Sequence, residues 1–174
     1  MAPSLVIRPA QPEDAAAVAR VHIAGWQEAY AGLLPHDFLA GLPESFDRRR
    51  RFWEETARTL GGRGVFFVAD IGGEVGGFVH GGESRDHPNE GVGEITAIYL
   101  LPAHWGKGIG RQLFATAVDR LRDADFHSAV LWVLDTNARA RRFYEAAGWA
   151  PDGAEKEERV GDVILREVRY RTEL

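Results

Sequence analysis

The segment Trp105-Gly106-Lys107-Gly108-Ile109-Gly110-Arg111 lies between an extended apolar run and a helical one. A loop that opens a helix leaves the backbone N–H groups of the first turn unpartnered and partly positive. Glycines let that backbone approach a ligand closely, so the segment suits a phosphate or pyrophosphate. Two phosphate-binding patterns fail here. A P-loop needs Ser or Thr after its lysine, and Lys107 is followed by Gly108. A dinucleotide fingerprint needs Gly-x-Gly-x-x-Gly, whereas Gly106, Gly108 and Gly110 stand two apart. A nucleotide- or dinucleotide-dependent enzyme is therefore disfavoured.

Other residues could do chemistry nearby. Strand alternation predicts Glu94, Thr96, Ile98 and Leu100 on one face. Apolar company disfavours the ionised form of a carboxylate, which suits a general base; the plainer alternative is a strand-end glutamate facing water or an arginine. Near the C-terminus, Asn137-Ala138-Arg139-Ala140-Arg141-Arg142-Phe143-Tyr144-Glu145-Ala146-Ala147-Gly148-Trp149 reads as a helix. Asn137 suits an N-cap, and Tyr144 a core aromatic whose hydroxyl still needs a partner. His22, Trp26 and Tyr30 recur at spacings of four, as for core packing. Arg48-Arg49-Arg50-Arg51 reads as a solvated helical turn. No His-Glu-x-x-His spacing suggests a metal.

The glycine loop and the Asn137–Trp149 segment together resemble the GNAT superfamily of acetyl-CoA-dependent N-acetyltransferases. Gly108-Ile109-Gly110 match the glycines of its Gln/Arg-x-x-Gly-x-Gly/Ala loop, and Asn137 to Trp149 follow its Asn-x-x-Ala-x-x-Phe-Tyr-x-x-x-Gly-Phe pattern. Trp105 departs from the pattern, standing where the family has Gln or Arg. The resemblance implies acetyl-CoA as co-substrate, with no metal, and an amine of a small molecule or peptide as acceptor. It implies that Trp105, Gly106, Lys107, Gly108, Ile109, Gly110 and Arg111 hold the pyrophosphate, with Asn137 beside the pantetheine arm. The backbone of Ile98, Tyr99 and Leu100, on a bulged strand, would bind the acetyl carbonyl. Tyr144 would protonate the leaving thiolate and Glu94 would serve as base. Trp26 and Tyr30 would wall the acceptor pocket, which the loop Glu83–Gly91 and the last strands would complete. Homodimers are common in the family. The alternative is a GNAT-like module that senses acyl-CoA without turnover.

These residues need a frame to position them. The 174 residues fit one domain spanning 1–174, and with 45% hydrophobic residues a core needs no staples. No cysteine is present, which excludes disulfides and thiolate chemistry. The net charge of 21 − 26 = −5 argues against nucleic acid as a partner. No apolar run is long enough for a membrane span, and the stretch MAPSLVIRPA lacks signal-peptide features, so a soluble, cytoplasmic protein is expected. Strands are predicted at Ser4–Arg8, Val65–Asp70, Val75–His80, Glu94–Leu101, Ala129–Leu134 and Val163–Tyr170. Helices are predicted from Pro12 to Tyr30, from Pro35 to the Gly61-Gly62 stop, from Ile109 to Leu121, and from Asn137 to Ala147. The expected fold is α+β: a mostly antiparallel mixed α/β sheet of about six to seven strands, with one parallel strand–helix–strand unit and about four flanking helices.

Overall fold

The computed structural model describes residues 4–174; the first three residues of the N-terminal stretch lie outside it. Seven strands form one sheet: β1 (Leu5–Pro9), β2 (Val65–Ile71), β3 (Glu74–Glu83), β4 (Val92–Leu100), β5 (Ser128–Leu134), β6 (Ala150–Val160) and β7 (Val163–Glu173). Their spatial order is β1-β2-β3-β4-β5-β7-β6. Every neighbouring pair is antiparallel except β4 with β5. The helices are α1 (Ala15–Ala29), α2 (His36–Gly41), α3 (Phe46–Thr59), α4 (Ile109–Asp123) and α5 (Ala138–Ala146). The second helical region is thus broken: Pro43 lies in a 3-10 turn, Leu42–Ser45, between the six-residue α2 and the longer α3. β6, which the sequence reading passed over, is an edge strand rich in charge and mostly exposed, so it shows no core-facing alternation.

The sheet is covered on both faces. On one, α4 buries Ile109, Leu113, Phe114, Ala117, Val118 and Leu121 against Val65, Val79, Ile95 and Leu131, with Tyr144 and Trp149 completing the cluster. Each fully buried large side chain contributes about 1.5–3 kcal/mol. On the other face, Val18, Ala19 and Val21 of α1 and Trp53 of α3 pack on Phe66, Val68 and Phe78. A third cluster joins Ile23, Tyr30 and Leu34 to Leu39, Leu42, Leu134 and Leu165, tying the α1–α2 connection to β7.

Two irregularities shape the centre of the sheet. The β4–β5 pairing covers only Val92–Glu94 against Ser128–Val130. Beyond it the strands part, although β4 continues to Leu100 and β5 to Leu134. The β3–β4 register also slips: His80 faces Ala97, Gly81 faces Ile95, and Thr96 is left over as a bulge. A Cβ at Gly81 would collide with the Glu94 carbonyl, so the bulge depends on that glycine. The bulge overturns the expected single face for Glu94, Thr96, Ile98 and Leu100. Ile95, Ile98 and Leu100 pack with the α4 cluster, while Ala97 and Tyr99 pack with the α1–α3 cluster.

α1 crosses β4 at Gly25, where an added Cβ would stand 2.8 Å from Tyr99 Cγ. Gly25→Ala gains helix propensity but forces the Tyr99 ring aside. The expected outcome is a net loss of about 1–3 kcal/mol, read as a lower urea midpoint with an unchanged slope. An unchanged midpoint would show that the ring yields freely.

Candidate active site

The parting of β4 and β5 frees backbone. Leu101 N–H donates to Gly76 O on β3 at 2.9 Å. Alternation back along the strand turns the Tyr99 peptide toward β3 as well, and the Ile98 and Leu100 peptides away from it, into the gap. Of the three peptides singled out in the sequence, two therefore face the gap and Tyr99 is engaged in the ladder.

The glycine loop stands beyond the end of β4. Gly106 and Gly108 have φ of 71° and 76°, a left-handed conformation that a side chain would strain. Nothing lies within 4 Å of a Cβ built on either, so the loop's outer side is open. Gly108 is the N-cap of α4, no side chain caps this helix, and its first turn carries no acidic residue. The N–H groups at its start thus stay available, flanked by the exposed Lys107 and Arg111. Lys107 Nζ folds back to the Ala103 carbonyl at 2.9 Å. Ile109 is buried and serves the core, while Gly110 packs against Phe143.

Trp105, the departure from the loop pattern, has a clear structural task. Its Nε1 donates to Leu100 O at 2.8 Å, tying the loop to the end of β4. The Arg139 guanidinium lies over its ring, with Cζ 3.3 Å from the centroid. A cation on α5 thus reaches the α4 loop across the gap, where the family pattern has a polar or basic loop side chain. The sequence alone does not reveal this stack, since Trp105 and Arg139 are far apart along the chain.

Asn137 is the N-cap of α5, its side chain accepting from Ala140 N at 3.1 Å. Tyr144, on the same helix, is buried among Phe114, Phe143 and Tyr170. Burial, with the Tyr99 hydroxyl nearby, pushes its own hydroxyl above the usual tyrosine range. It is therefore a neutral O–H donor at physiological pH.

Glu94 is 1% exposed and lies where the β4–β5 pairing ends. Its carboxylate meets an arginine, the plainer alternative read from the sequence. Arg85, 65% exposed on the loop after β3, sends its Nη2 to Glu94 Oε1 at 2.5 Å, and its own backbone N–H to Oε2 at 3.0 Å. His80 lies in the same neighbourhood, its Nδ1 2.6 Å from the hydroxyl of the bulged Thr96. Burial, then the Arg85 charge, push His80 down to about 4, with Glu94 opposing.

The α1–α3 side of β4 holds an aromatic enclosure. Trp26 stacks on Tyr30 at 4.5 Å, and His22 meets Trp26, Trp53, Phe78 and Tyr99 at 5.3–6.4 Å between centroids. Trp53 Nε1 donates to His22 Nδ1 at 3.2 Å. Burial, aided by the Arg49 charge, pushes His22 down to about 3, so the ring is neutral at physiological pH. Burial also moves Tyr99 up to about 12 and Tyr30 higher still. The four-arginine turn is not uniformly solvated: Arg48 and Arg51 are exposed, but Arg49 is half-buried against His22.

Comparison with known proteins gives the family and the fold. The chain belongs to the acetyltransferase (GNAT) family, whose profile matches residues 26–149. It is 33% identical to the uncharacterized N-acetyltransferase YuaI of Bacillus subtilis, over 94% of this chain and 90% of that one. It is 27% identical to the L-amino acid N-acyltransferase MnaT of Escherichia coli, over 82% of this chain and 78% of that one. Its fold matches that of yncA from Salmonella typhimurium, solved with its cofactor acetyl-CoA, at a TM-score of 0.73, 24% identity and coverage of 98% and 94%. Among the described residues no helix is long and apolar enough to cross a membrane.

The two depressed histidines make stability depend on pH. Their folded values of about 3 and about 4 lie below the unfolded value near 6.5, so the unfolded chain binds protons that the folded chain refuses. The contribution is present above about pH 6.5 and is lost as pH falls toward 4. Urea midpoints should drop between pH 7 and 5.5 by the equivalent of about 1 kcal/mol for each histidine, and by less in His80→Gln. A flat profile over that window would place both rings in water.

Proposed function

We propose that the protein transfers the acetyl group of acetyl-CoA to a primary amine of a small molecule or peptide, by direct attack with both substrates bound. The carrying observation is the uncapped start of α4 beneath Gly106–Gly110, opening beside the gap between β4 and β5. A pyrophosphate at such a helix start accepts the free N–H groups and gains from the helix dipole. Lys107, Arg111 and Arg139 add positive charge, and Asn137 closes the site from α5. The acyl-pantetheine arm then lies along the gap, where the Ile98 and Leu100 N–H groups face the acetyl oxygen and stabilise the oxyanion of a tetrahedral intermediate.

The amine nitrogen adds to the acetyl carbon to give the tetrahedral intermediate, whose collapse then breaks the carbon–sulfur bond. Glu94 takes the amine proton, directly or through water, while Arg85 steadies its carboxylate. Tyr144 gives its proton to the leaving thiolate. Trp26 and Tyr30 flank the acceptor. Deprotonating an amine of pKa near 10.4 costs about 4–5 kcal/mol at pH 7. Holding both reactants in place contributes about 7–11 kcal/mol, so positioning outweighs the base. The reading is supported by the family membership and by the cofactor in the yncA structure.

Calorimetric titration with acetyl-CoA, with NAD and ATP as controls, tests the loop. Saturable micromolar binding of acetyl-CoA alone is expected, weakened tenfold or more in Gly108→Asp, which adds negative charge and a side chain at φ 76°. No heat and no thermal shift with acetyl-CoA would overturn the proposal. Binding without turnover on any amine would favour the sensor alternative.

Steady-state kinetics test the two proton carriers. Tyr144→Phe should lower kcat more than it raises KM for acetyl-CoA; the reverse pattern would give Tyr144 a packing role. Glu94→Gln should slow transfer by about a hundredfold and shift its pH profile without abolishing it. Wild-type rates at every pH would remove Glu94 from the reaction.

A further inference from the structure

Arg49 is a half-buried cation that makes no ion pair among the described residues. It projects from α3 into the aromatic enclosure, half-buried, with Nη1 3.2 Å from His22 Nδ1 and 3.3 Å from Nε2. Its Nε donates to Ser45 Oγ at 2.9 Å, and its Cζ lies 5.5 Å from the Trp26 ring centroid. Every one of these partners is neutral. Among the described residues no carboxylate lies within salt-bridge distance of it, whereas Arg50, the next residue, pairs with Glu54. Burial and the neighbouring Arg48 both act against its charge.

A guanidinium withdrawn from water without a counter-ion is costly unless an anion completes it. Trp53 donates to His22 Nδ1 and holds the ring in place, and the neutral ring supplies no counter-charge. The His22 ring also meets Tyr99 at 5.3 Å between centroids, which brings β4 to the same enclosure.

Resting on the acetyl-transfer reading, we propose that Arg49 binds a carboxylate on the acceptor, so that the acceptors are amino-acid-type amines rather than simple alkyl amines. The planar guanidinium fork suits a planar carboxylate. Trp26, Tyr30 and Tyr99 cover the acceptor's apolar part. Tyr99 belongs to β4, whose neighbouring Ile98 and Leu100 peptides face the gap, so an acceptor anchored on Arg49 lies alongside the proposed acetyl site.

The test compares acetylation of matched triplets: L-phenylalanine, L-phenylalaninamide and 2-phenylethylamine; L-methionine, L-methioninamide and 3-(methylthio)propylamine. Values of kcat/KM are corrected for the fraction of neutral amine. The carboxylate member of at least one triplet should lead by about tenfold or more. Arg49→Met should erase that lead by slowing the carboxylate member, with the amide and the simple amine within about twofold of wild type. Arg49→Lys should keep part of the lead. Calorimetry with acetyl-CoA and a melting curve accompany each variant. An acetyl-CoA affinity within about twofold of wild type shows that the proposed coenzyme site and the fold survive. If wild type shows no preference for the carboxylate, or Arg49→Met retains one, the Arg49 assignment is wrong while acetyl transfer stands. Acetylation of no triplet member, with acetyl-CoA bound normally, also overturns it. Failure of acetyl-CoA itself to bind instead overturns the reading beneath.

Discussion

Three residue pairs of parallel ladder hold the two halves of the sheet together, and everything at the site follows from the ladder ending there. A central strand normally spends both edges of its backbone on neighbours. β4 does so up to Glu94 and then keeps one edge unpaired. Buried peptide groups need partners, so a strand left open in mid-sheet is a standing demand for hydrogen bonds. Trp105 meets that demand at Leu100 O, and the remaining groups face the gap. The bulge at Thr96 re-aims the outer half of β4 so that Ile98 and Leu100 stay on the α4 side and Tyr99 turns to α1.

The two covered faces divide the labour. The α4–α5 side supplies helix starts and cations, over a core in which Phe114 packs on Phe143 and Trp149. The α1–α3 side encloses polar groups among rings. Its histidines are neutral, its tyrosines are hard to ionise, and Arg49 carries the fixed charge. Such an enclosure changes little in charge across physiological pH.

Much of this was legible in the sequence where local patterns carried it. The hairpin at Gly72-Gly73, the amphipathic stripe of α4 and the glycine loop each depend on neighbours in the chain. What depended on distant contacts was not. The bulge needs Gly81 against the Glu94 carbonyl, and alternation alone predicted a single face. Glu94 looked apolar in its surroundings because Arg85, nine residues earlier, returns to it only through the loop. A run of four arginines reads as solvated, and helical rotation alone selects Arg49 to turn inward. Trp105 looked like a lost contact until α5 placed Arg139 on its ring. β6 escaped because an edge strand has no second neighbour to impose a pattern.

That edge strand has a consequence of its own. An open sheet presents two unpaired rims, and a long flat rim invites another chain to add to it. β6 runs for eleven residues, but its register breaks between Pro151 and Glu155, and it continues Glu-Lys-Glu-Glu-Arg. Pro151 cannot donate, the break kinks the rim, and the charges cannot be buried cheaply by an incoming strand. At the opposite rim β1 is only five residues long and ends at Pro9. Among the described residues, β4 thus leaves backbone open at the interior gap, while both outer rims of the sheet carry features that disfavour the addition of a strand.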